Sequence, residues 1–556
     1  MRNRAIPVRM IDKLRKMIST EAGNPSINRP LKIVNDKDTK IPNSSTIGDK
    51  FTKNSATLNG IEKPLDQYVR VIQDLNSLQS NSQTLALSKY RRPEEILPLF
   101  AKQLQVAGID IEDLNRLNIV HVSGTKGKGS TCAFAESILR AAGLKTGFYN
   151  SPHLIKVTER IRLNGIPIEE DAFSSYFRKV YDALREGAER KIVSMPSYFS
   201  FLTILAFRIF LEEKVDCAVI EVGIGGEYDP TNIIQKPVVC GISTLDYDHT
   251  SILGNTIESI AWAKAGIAKK GVPLFMAEQD KDPVLEVVKL RTLEKNSPLY
   301  ICKPLKVDPG LQLGIHSPVQ YNNASLACQL ARCVLERVYG QKFEGTSRLK
   351  GDAVVETDLT KLPMYFKDAL ALCFWPGRCQ VVKYPRITFF LDGAHTKKSM
   401  KNCLNWFLSL SLEEDEKVCR ILMINIIGDR NKMEVLRPLT TYEGFESVIF
   451  STNRINSSPY DLNSPAFAMN DKGMDNVQTN AKIWTSLQET TSKSPDIVIK
   501  PNTFESIAHV DKMSRICDNR KCHVLVTGSL HFVGAILETL PHVDSMLNRS
   551  YLGKDK

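Results

Sequence analysis

No stretch of this chain approaches the roughly 18–20 uncharged apolar residues that span a bilayer. The best candidate, residues 198–211, is too short and contains Arg208, so it reads as a buried helix. No CxxC pair occurs among the twelve cysteines, which argues against a structural zinc site and, in a chain this long, against a disulfide framework. Cys217 and Cys240 lie in apolar strand-like runs, where a thiol serves as a small hydrophobe. Neither a basic-aromatic stripe nor a nucleic-acid motif is present. The net charge of +11 comes from 73 basic residues interleaved with 62 acids, so nucleic acid is excluded as a partner. The excess is read as attraction for anionic small molecules such as nucleotides and polycarboxylates. There is no internal repeat.

The 556 residues exceed one typical core, and two domains plus appendages are expected. Residues 1–64 form a basic then polar extension. Its first twenty residues carry Arg2, Arg4, Arg9, Lys13, Arg15 and Lys16 against the single acid Asp12, with Met10, Ile11, Leu14 and Met17 at helical spacing. A secretory signal's uninterrupted apolar region is missing, which leaves a mitochondrial presequence or a disordered basic tail. Ordered sequence is expected from about Leu65. Apolar runs at 119–122, 145–149, 215–222, 238–242, 387–391, 420–427, 447–450 and 523–526 then alternate with amphipathic stretches. That alternation predicts an α/β fold with mostly parallel sheets. Residues 65–365 are expected to form an ATP-binding domain and 366–556 a smaller Rossmann-like one, with a helix over 323–338 before a join near 357–374. The polar stretch 451–496 reads as a surface insertion.

The strongest chemical signal is IVHVSGTKGKGST at 119–131, a strand, a glycine-rich turn with Lys128 and Ser130, then an amphipathic helix. Glycines let backbone N–H groups close around phosphate oxygens, the helix N-terminus adds its dipole, and Lys128 can reach the β- and γ-phosphates. Gly129 separates Lys128 from Ser130, so the loop is not GxxxxGK[ST]. Polar clusters follow later strands: SPH at 151–153, EVGIGGEYDPTN at 221–232 and LDYDHTSILGNT at 245–256. In an open α/β sheet such strand ends converge on ligands. Mg2+ wants hard oxygen ligands and nucleotide phosphates, which suits Glu221 and Ser151, with His249 a less usual ligand. Singly, each has an ordinary structural role available.

These motifs, with ERIRLNG at 159–165, IAWAKAGI at 260–267, WPGR at 375–378, LDGAH at 391–395, GDR at 428–430 and TGSLH at 527–531, resemble folylpolyglutamate synthases, members of the Mur ligase superfamily. The match is co-linear from about Leu65 to Leu540, and its spellings are closer to animal enzymes than to bacterial bifunctional ones. The resemblance implies a Mur ligase-like fold: a P-loop ATPase-type domain, mostly parallel, followed by a smaller Rossmann-like domain. It implies ATP-dependent ligation of L-glutamate to the γ-carboxylate of folate and its polyglutamates, which retains folates in the cell. ATP and Mg2+ are the implied cofactors, with a monovalent cation such as K+ as an addition. A monomer acting in the cytoplasm, the mitochondrion or both is expected.

Carried over by motif, Gly127, Lys128, Gly129 and Ser130 would hold the ATP phosphates, and Ser151, Glu221 and His249 would surround Mg2+. Gln320 and Asn323 match the adenine side, although the histidine that often accompanies them is absent. Arg378 and Asp392 would reach the nucleotide from the second domain. His395 and Ser529 would contact the incoming glutamate, with Arg160 and Arg162 as further anion contacts. Lys264 matches a lysine that is carbamylated in related ligases. It follows Ala263, where many relatives carry Glu. Lys128, Lys264 and His395 are the expected catalytic residues. Dihydrofolate synthase, alone or in a bifunctional enzyme, shares the fold and chemistry and is the alternative. A regulatory P-loop NTPase lacks support without GK[ST], and a dead binding protein lacks support while Lys128, Glu221, His249 and Asp392 all stand.

Overall fold

The computed structural model describes residues 64–80, 92–279, 282–306, 311–343, 353–412, 418–428, 430–455, 473–488, 494–516, 520–541 and 547. The chain divides into Met1–Gln67 and Tyr68–Lys556. Of the first unit only residues 64–67 are described, the start of helix Pro64–Ser80. Apart from Pro64, the extension expected over 1–64, with its presequence, therefore lies outside the described residues.

The second unit is built on two sheets. The first contains β1 (Val120–Ser123), β2 (Thr146–Tyr149), β3 (Ile161–Leu163), β4 (Ile166–Pro167), β5 (Cys217–Glu221), β6 (Val239–Ile242), β7 (Leu274–Ala277), β8 (Leu299–Cys302) and β9 (Ala353–Val355). Their order is β4-β3-β2-β5-β1-β6-β7-β8-β9, parallel from β2 to β9. Only β3 and β4 add antiparallel edges. The second sheet contains β10 (Gln380–Lys383), β11 (Ile387–Leu391), β12 (Cys419–Ile424), β13 (Ser447–Ser451), β14 (Asp496–Lys500) and β15 (Cys522–Thr527). Its order is β10-β11-β15-β12-β13-β14, with β10 alone antiparallel.

Strands buried on both faces explain the near-continuous apolar runs. Side chains alternate across each strand: Val120, Val122, Cys217 and Val219 join one core, while Ala218 and Ile220 join the opposite one. The first core includes helices Lys128–Ala141 and Gln320–Arg337, the second helices Glu170–Glu189 and Tyr198–Glu212. The helix expected over 198–211 is thus real and buried. The eleven cysteines among the described residues are buried and in no disulfide. No described helix is long and apolar enough to cross a membrane.

Two expectations need correction. Phe366, Ala369 and Leu370 of helix Met364–Leu372 join the first sheet's core, so that core runs past the expected division at 365/366 to Cys373. Within the supposed insertion 451–496, helix Gly473–Gln488 buries Val477, Ala481, Trp484 and Gln488. Their spacing is helical, but polar neighbours on the other faces dilute the signal. Trp484 packs edge-on against Phe450 of β13, so this helix is part of the second sheet's core.

The registers decide where a site can form. Val122 is level with Glu221 and Ser123 with Ile242, so β1, β5 and β6 end on one edge. The order turns at β1, where β2 lies beyond β5 on one side and β6 lies on the other, and ligands collect at such a switch. In the second sheet Leu391 is level with Val526 and Ile424 with Thr527, which gathers the loops after β11, β12 and β15.

Candidate active site

The glycine-rich loop leaves β1 at the switch. Gly127 has φ +86°, a left-handed conformation that favours glycine, and a Cβ there would run into the Asn323 side chain. Asn323 is held in turn by donating from Nδ2 to Gln320 Oε1 at 2.8 Å. The N-terminus of helix Gln320–Arg337 thereby braces the loop. Lys128 and Ser130 occupy the first turn of helix Lys128–Ala141, whose free N–H groups make an anion site. A Cβ on Gly129 would stand 3.3 Å from the Trp375 ring and 3.5 Å from Glu221 Oε2, so the loop is walled closely on both sides.

Glu221 ends β5 with its carboxylate buried. Burial pushes its carboxyl up, opposed chiefly by the Lys128 ammonium, whose Nζ is 3.9 Å from Oε1. The Ser151 N–H donates to Oε2 at 3.3 Å. These oxygens have capacity for another cation, and Ser151 lines the same cavity, so the pair suits a divalent ion. His249 stands exposed on the loop after β6, with Asp248, Lys128 and Lys264 as its charged neighbours. Among the described residues no group of three His, Cys, Asp or Glu side chains forms a complete metal cage.

Lys264 is buried and donates from Nζ to the Gly124 carbonyl at 2.7 Å. Burial, reinforced by Lys128, holds its ammonium well below the ordinary lysine range. Gly226 lets the loop after β5 lie against the helix that carries it, since a Cβ would stand 2.8 Å from the Lys264 carbonyl. In that loop Asp229 accepts from the Ile224 N–H at 2.9 Å and the Thr231 N–H at 3.0 Å, fixing the turn.

The second sheet closes the site. Arg378 and Leu530 line a cavity with Gly129, Ser151, Arg162 and Glu221. Asp392, after β11, accepts from the Cys379 N–H at 3.0 Å, and burial raises its carboxyl against Arg378. His395 reaches the phosphate loop: Lys126 Nζ lies 2.8 Å from its Nε2 and 3.0 Å from Asp248 Oδ2. Arg430, on the loop after β12, also acts on Lys126 and His395. Its motif neighbour Asp429 lies outside the described residues.

Three expected contacts are already occupied. Arg160 is buried, donating from Nε to His153 Nδ1 at 2.9 Å, while Arg162 donates to the Glu159 carbonyl at 3.1 Å and lies over the Trp375 ring. Ser529 caps helix Leu530–Thr539 by accepting from the Phe532 N–H at 3.1 Å. The motifs contained Lys126, Asp248, Glu159 and Arg430 without assigning them roles. Asp248 beside His249 and a second lysine in the phosphate loop were the available signals.

No family model matches the chain. Among curated proteins it is 38% identical over 551 residues to human mitochondrial folylpolyglutamate synthase, covering 86% of this chain and 92% of the human protein. It is 40% identical over 498 residues to a putative folylpolyglutamate synthase of Caenorhabditis elegans, covering 86% and 93%. Its fold matches a Mycobacterium tuberculosis folylpolyglutamate synthase solved with ADP and AMPPCP, at TM-score 0.65 and 22% identity over 85% of this chain and 98% of that one. The fold of a Thermotoga maritima folylpolyglutamate synthase matches at TM-score 0.62, 24% identity, 88% and 100%. With such identity along nearly the whole length of the curated relatives, the chain belongs to the folylpolyglutamate synthase family.

Proposed function

We propose that the protein is an ATP-dependent ligase that joins L-glutamate to the γ-carboxylate of tetrahydrofolate and its polyglutamates. One observation carries the reading: Arg378 lines a cavity with Gly129 of the phosphate loop and with Glu221, and His395 from the second sheet lies 2.8 Å from Lys126 of that loop. A carboxylate is a poor electrophile, so it must first be activated. The folate γ-carboxylate attacks the γ-phosphorus of ATP, forming an acyl phosphate and releasing ADP. The glutamate amine then attacks the acyl carbon and phosphate leaves.

The loop backbone from Gly127 to Ser130 holds the phosphates, and the Lys128 ammonium opposes the charge that spreads during transfer. Gln320 and Asn323 sit on the adenine side, and Arg378 and Asp392 reach the nucleotide from the second sheet. Glu221 and Ser151, with His249 as the third candidate, would hold Mg2+. That ion would supply further positive charge to the phosphates. Lys264 acts as a carbamate, and its buried, readily deprotonated amine is the form that takes up carbon dioxide. His395 receives the glutamate amine, and Arg160, Arg162 and the donors around Ser529 supply positive potential and N–H groups for the carboxylates. Two sheets meeting over the cleft exclude water from the acyl phosphate.

The domain reading, with the division moved to follow Cys373, places ATP binding in the body around the first sheet and amine delivery in the body around the second, in a monomer. Mitochondrial residence is inferred from the mitochondrial relatives and the basic segment 1–20, with a cytosolic form from a start at Met10 or Met17. A reporter fused to that segment should enter mitochondria, and a cytosolic signal alone refutes it. The decisive assay incubates the purified chain with MgATP, labelled glutamate and either tetrahydrofolate or dihydropteroate, resolving products by length. Tetrahydrofolate should be extended and dihydropteroate used slowly or not at all. Aspartate should be a poor substrate, because one carbon less misplaces its distal carboxylate. Equal use of dihydropteroate would replace this reading with a dihydrofolate synthase or bifunctional enzyme.

A further inference from the structure

We propose that Lys126 is a positioning residue that presets His395 as the acceptor for the ammonium of the incoming amino acid and ties that preset to the phosphate loop. The inference rests on the reading of His395 as the glutamate contact.

Hydrogen-bond chemistry allows one state of the imidazole. His395 Nδ1 is 2.7 Å from the Gly393 carbonyl, which can only accept, so Nδ1 carries the proton. Nε2 is 2.8 Å from the Lys126 ammonium, which can only donate, so Nε2 presents its lone pair. The ring is therefore neutral, with its basic nitrogen turned toward the phosphate loop. Without Lys126, the Asp248 carboxylate, whose Oδ2 is 3.7 Å from Nε2, would favour a second proton on the ring against only burial and Arg430.

The lysine itself is anchored through the loop. Its N–H and that of Thr125 both donate to the Thr244 carbonyl at 3.0 Å, and Thr125 Oγ1 donates to the Asp246 carbonyl at 3.0 Å. Its main chain is thus bolted to the edge after β6, and its side chain spans to the second sheet. Four groups face the His395 ring: Lys126 from the loop after β1, Asp248 after β6, Arg430 after β12, and the Gly393 carbonyl. Burial comes first and Lys126 next among the influences that hold the ring at about 4, with Arg430 acting in the same sense and Asp248 against it.

Asp248 and His395 Nε2 together form an acceptor pair that fits an ammonium, and Lys126 fills it in this structure. An incoming amino acid takes the Nε2 acceptor while Lys126 keeps Asp248. Its N–H bond then breaks as an Nε2–H bond forms, leaving the nitrogen lone pair to attack the acyl carbon. Because Lys126 sits one residue before Gly127, the group that sets the base belongs to the loop that holds the phosphates.

The test uses the full chain with 15N-labelled histidine, the His395 resonance being identified by its loss in His395→Gln. In the wild type His395 should stay neutral down to about pH 5. In Lys126→Met its titration should move up by roughly one unit or more, and the acid limb of kcat/KM for glutamate should move with it. Lys126→Arg should restore both, and Lys126→Gln substitutes if the Met variant does not fold. A lysine that merely bolts the sheets together would lower activity at every pH with titration and limb unmoved, which overturns the proposal. A His395→Gln enzyme with unchanged KM for glutamate and unchanged acid limb would instead overturn the reading of His395, so the two failures are distinct.

Discussion

Glu159 is the least conspicuous polar residue whose loss should cost most. Its buried carboxylate accepts three main-chain N–H bonds: Leu154 to Oε2 at 2.9 Å, Ile155 to Oε1 at 2.8 Å and Lys156 to Oε1 at 2.7 Å. The loop it gathers matters because Leu154 and Ile155 leave the first sheet's body and pack in the second sheet's core with Phe389, Val526 and Val533. A Cβ at Gly534 would collide with the Leu154 carbonyl, so this seam has no slack. Glu159→Gln keeps the shape. Its carbonyl can still serve Ile155 and Lys156, but its NH2 then faces the Leu154 N–H, donor against donor. One charge-assisted bond is lost and two are weakened to ordinary strength, which sums to about 3 kcal/mol on usual magnitudes. Urea unfolding followed by tryptophan fluorescence should show a lower midpoint, and glutamate ligation should fall as the second sheet loses its seat. Wild-type midpoint and turnover in Glu159→Gln would refute the argument that this carboxylate holds the two sheets in register.

Lys128→Ala should leave the fold intact and cut ligation on the order of a hundredfold or more, because the charge opposing phosphoryl transfer is gone. Steady-state rates decide it. Gly127→Ala should be nearly as damaging to activity and destabilise by about 1–2 kcal/mol, since alanine must hold φ +86° and push Asn323 aside; nucleotide titration calorimetry and urea midpoints read both. Lys264→Ala should lose activity, with partial recovery by short carboxylates or in Lys264→Glu, and a high-resolution density map of the wild type should show the carbamate. A plain ammonium aimed at phosphate would end that idea. His121 is buried against Thr231 Oγ1 at 2.9 Å, and burial lowers it from 6.5 to about 3. Above about pH 6.5 both folded and unfolded states hold it neutral. As pH falls below that value the unfolded chain binds a proton the native state refuses, so stability should decline between about 6.5 and 3. His121→Gln should flatten that decline.

What the sequence determined by itself was local: periodicity, the strand ends and the motif order. Continuous apolar runs such as those of β1, β5 and β15 announce parallel strands buried on both faces, and glycine at 127 announces a turn only glycine holds easily. The alternation of strand and helix predicted two α/β bodies, and the order of motifs pointed to the family. Tertiary packing decided what side-chain type and spacing do not encode. Helix Gly473–Gln488 forms because Val477, Ala481 and Trp484 find the second sheet's core, although its composition reads as loop. Helix Met364–Leu372 belongs to the first core for the same reason. Arg160 and Ser529 have polar partners inside the protein, which residue type alone does not reveal. The bond between Lys126 and His395 joins residues 269 positions apart on different sheets. A sequence places each near a strand end; only the packing of two sheets against one another brings an ammonium and an imidazole within hydrogen-bond reach.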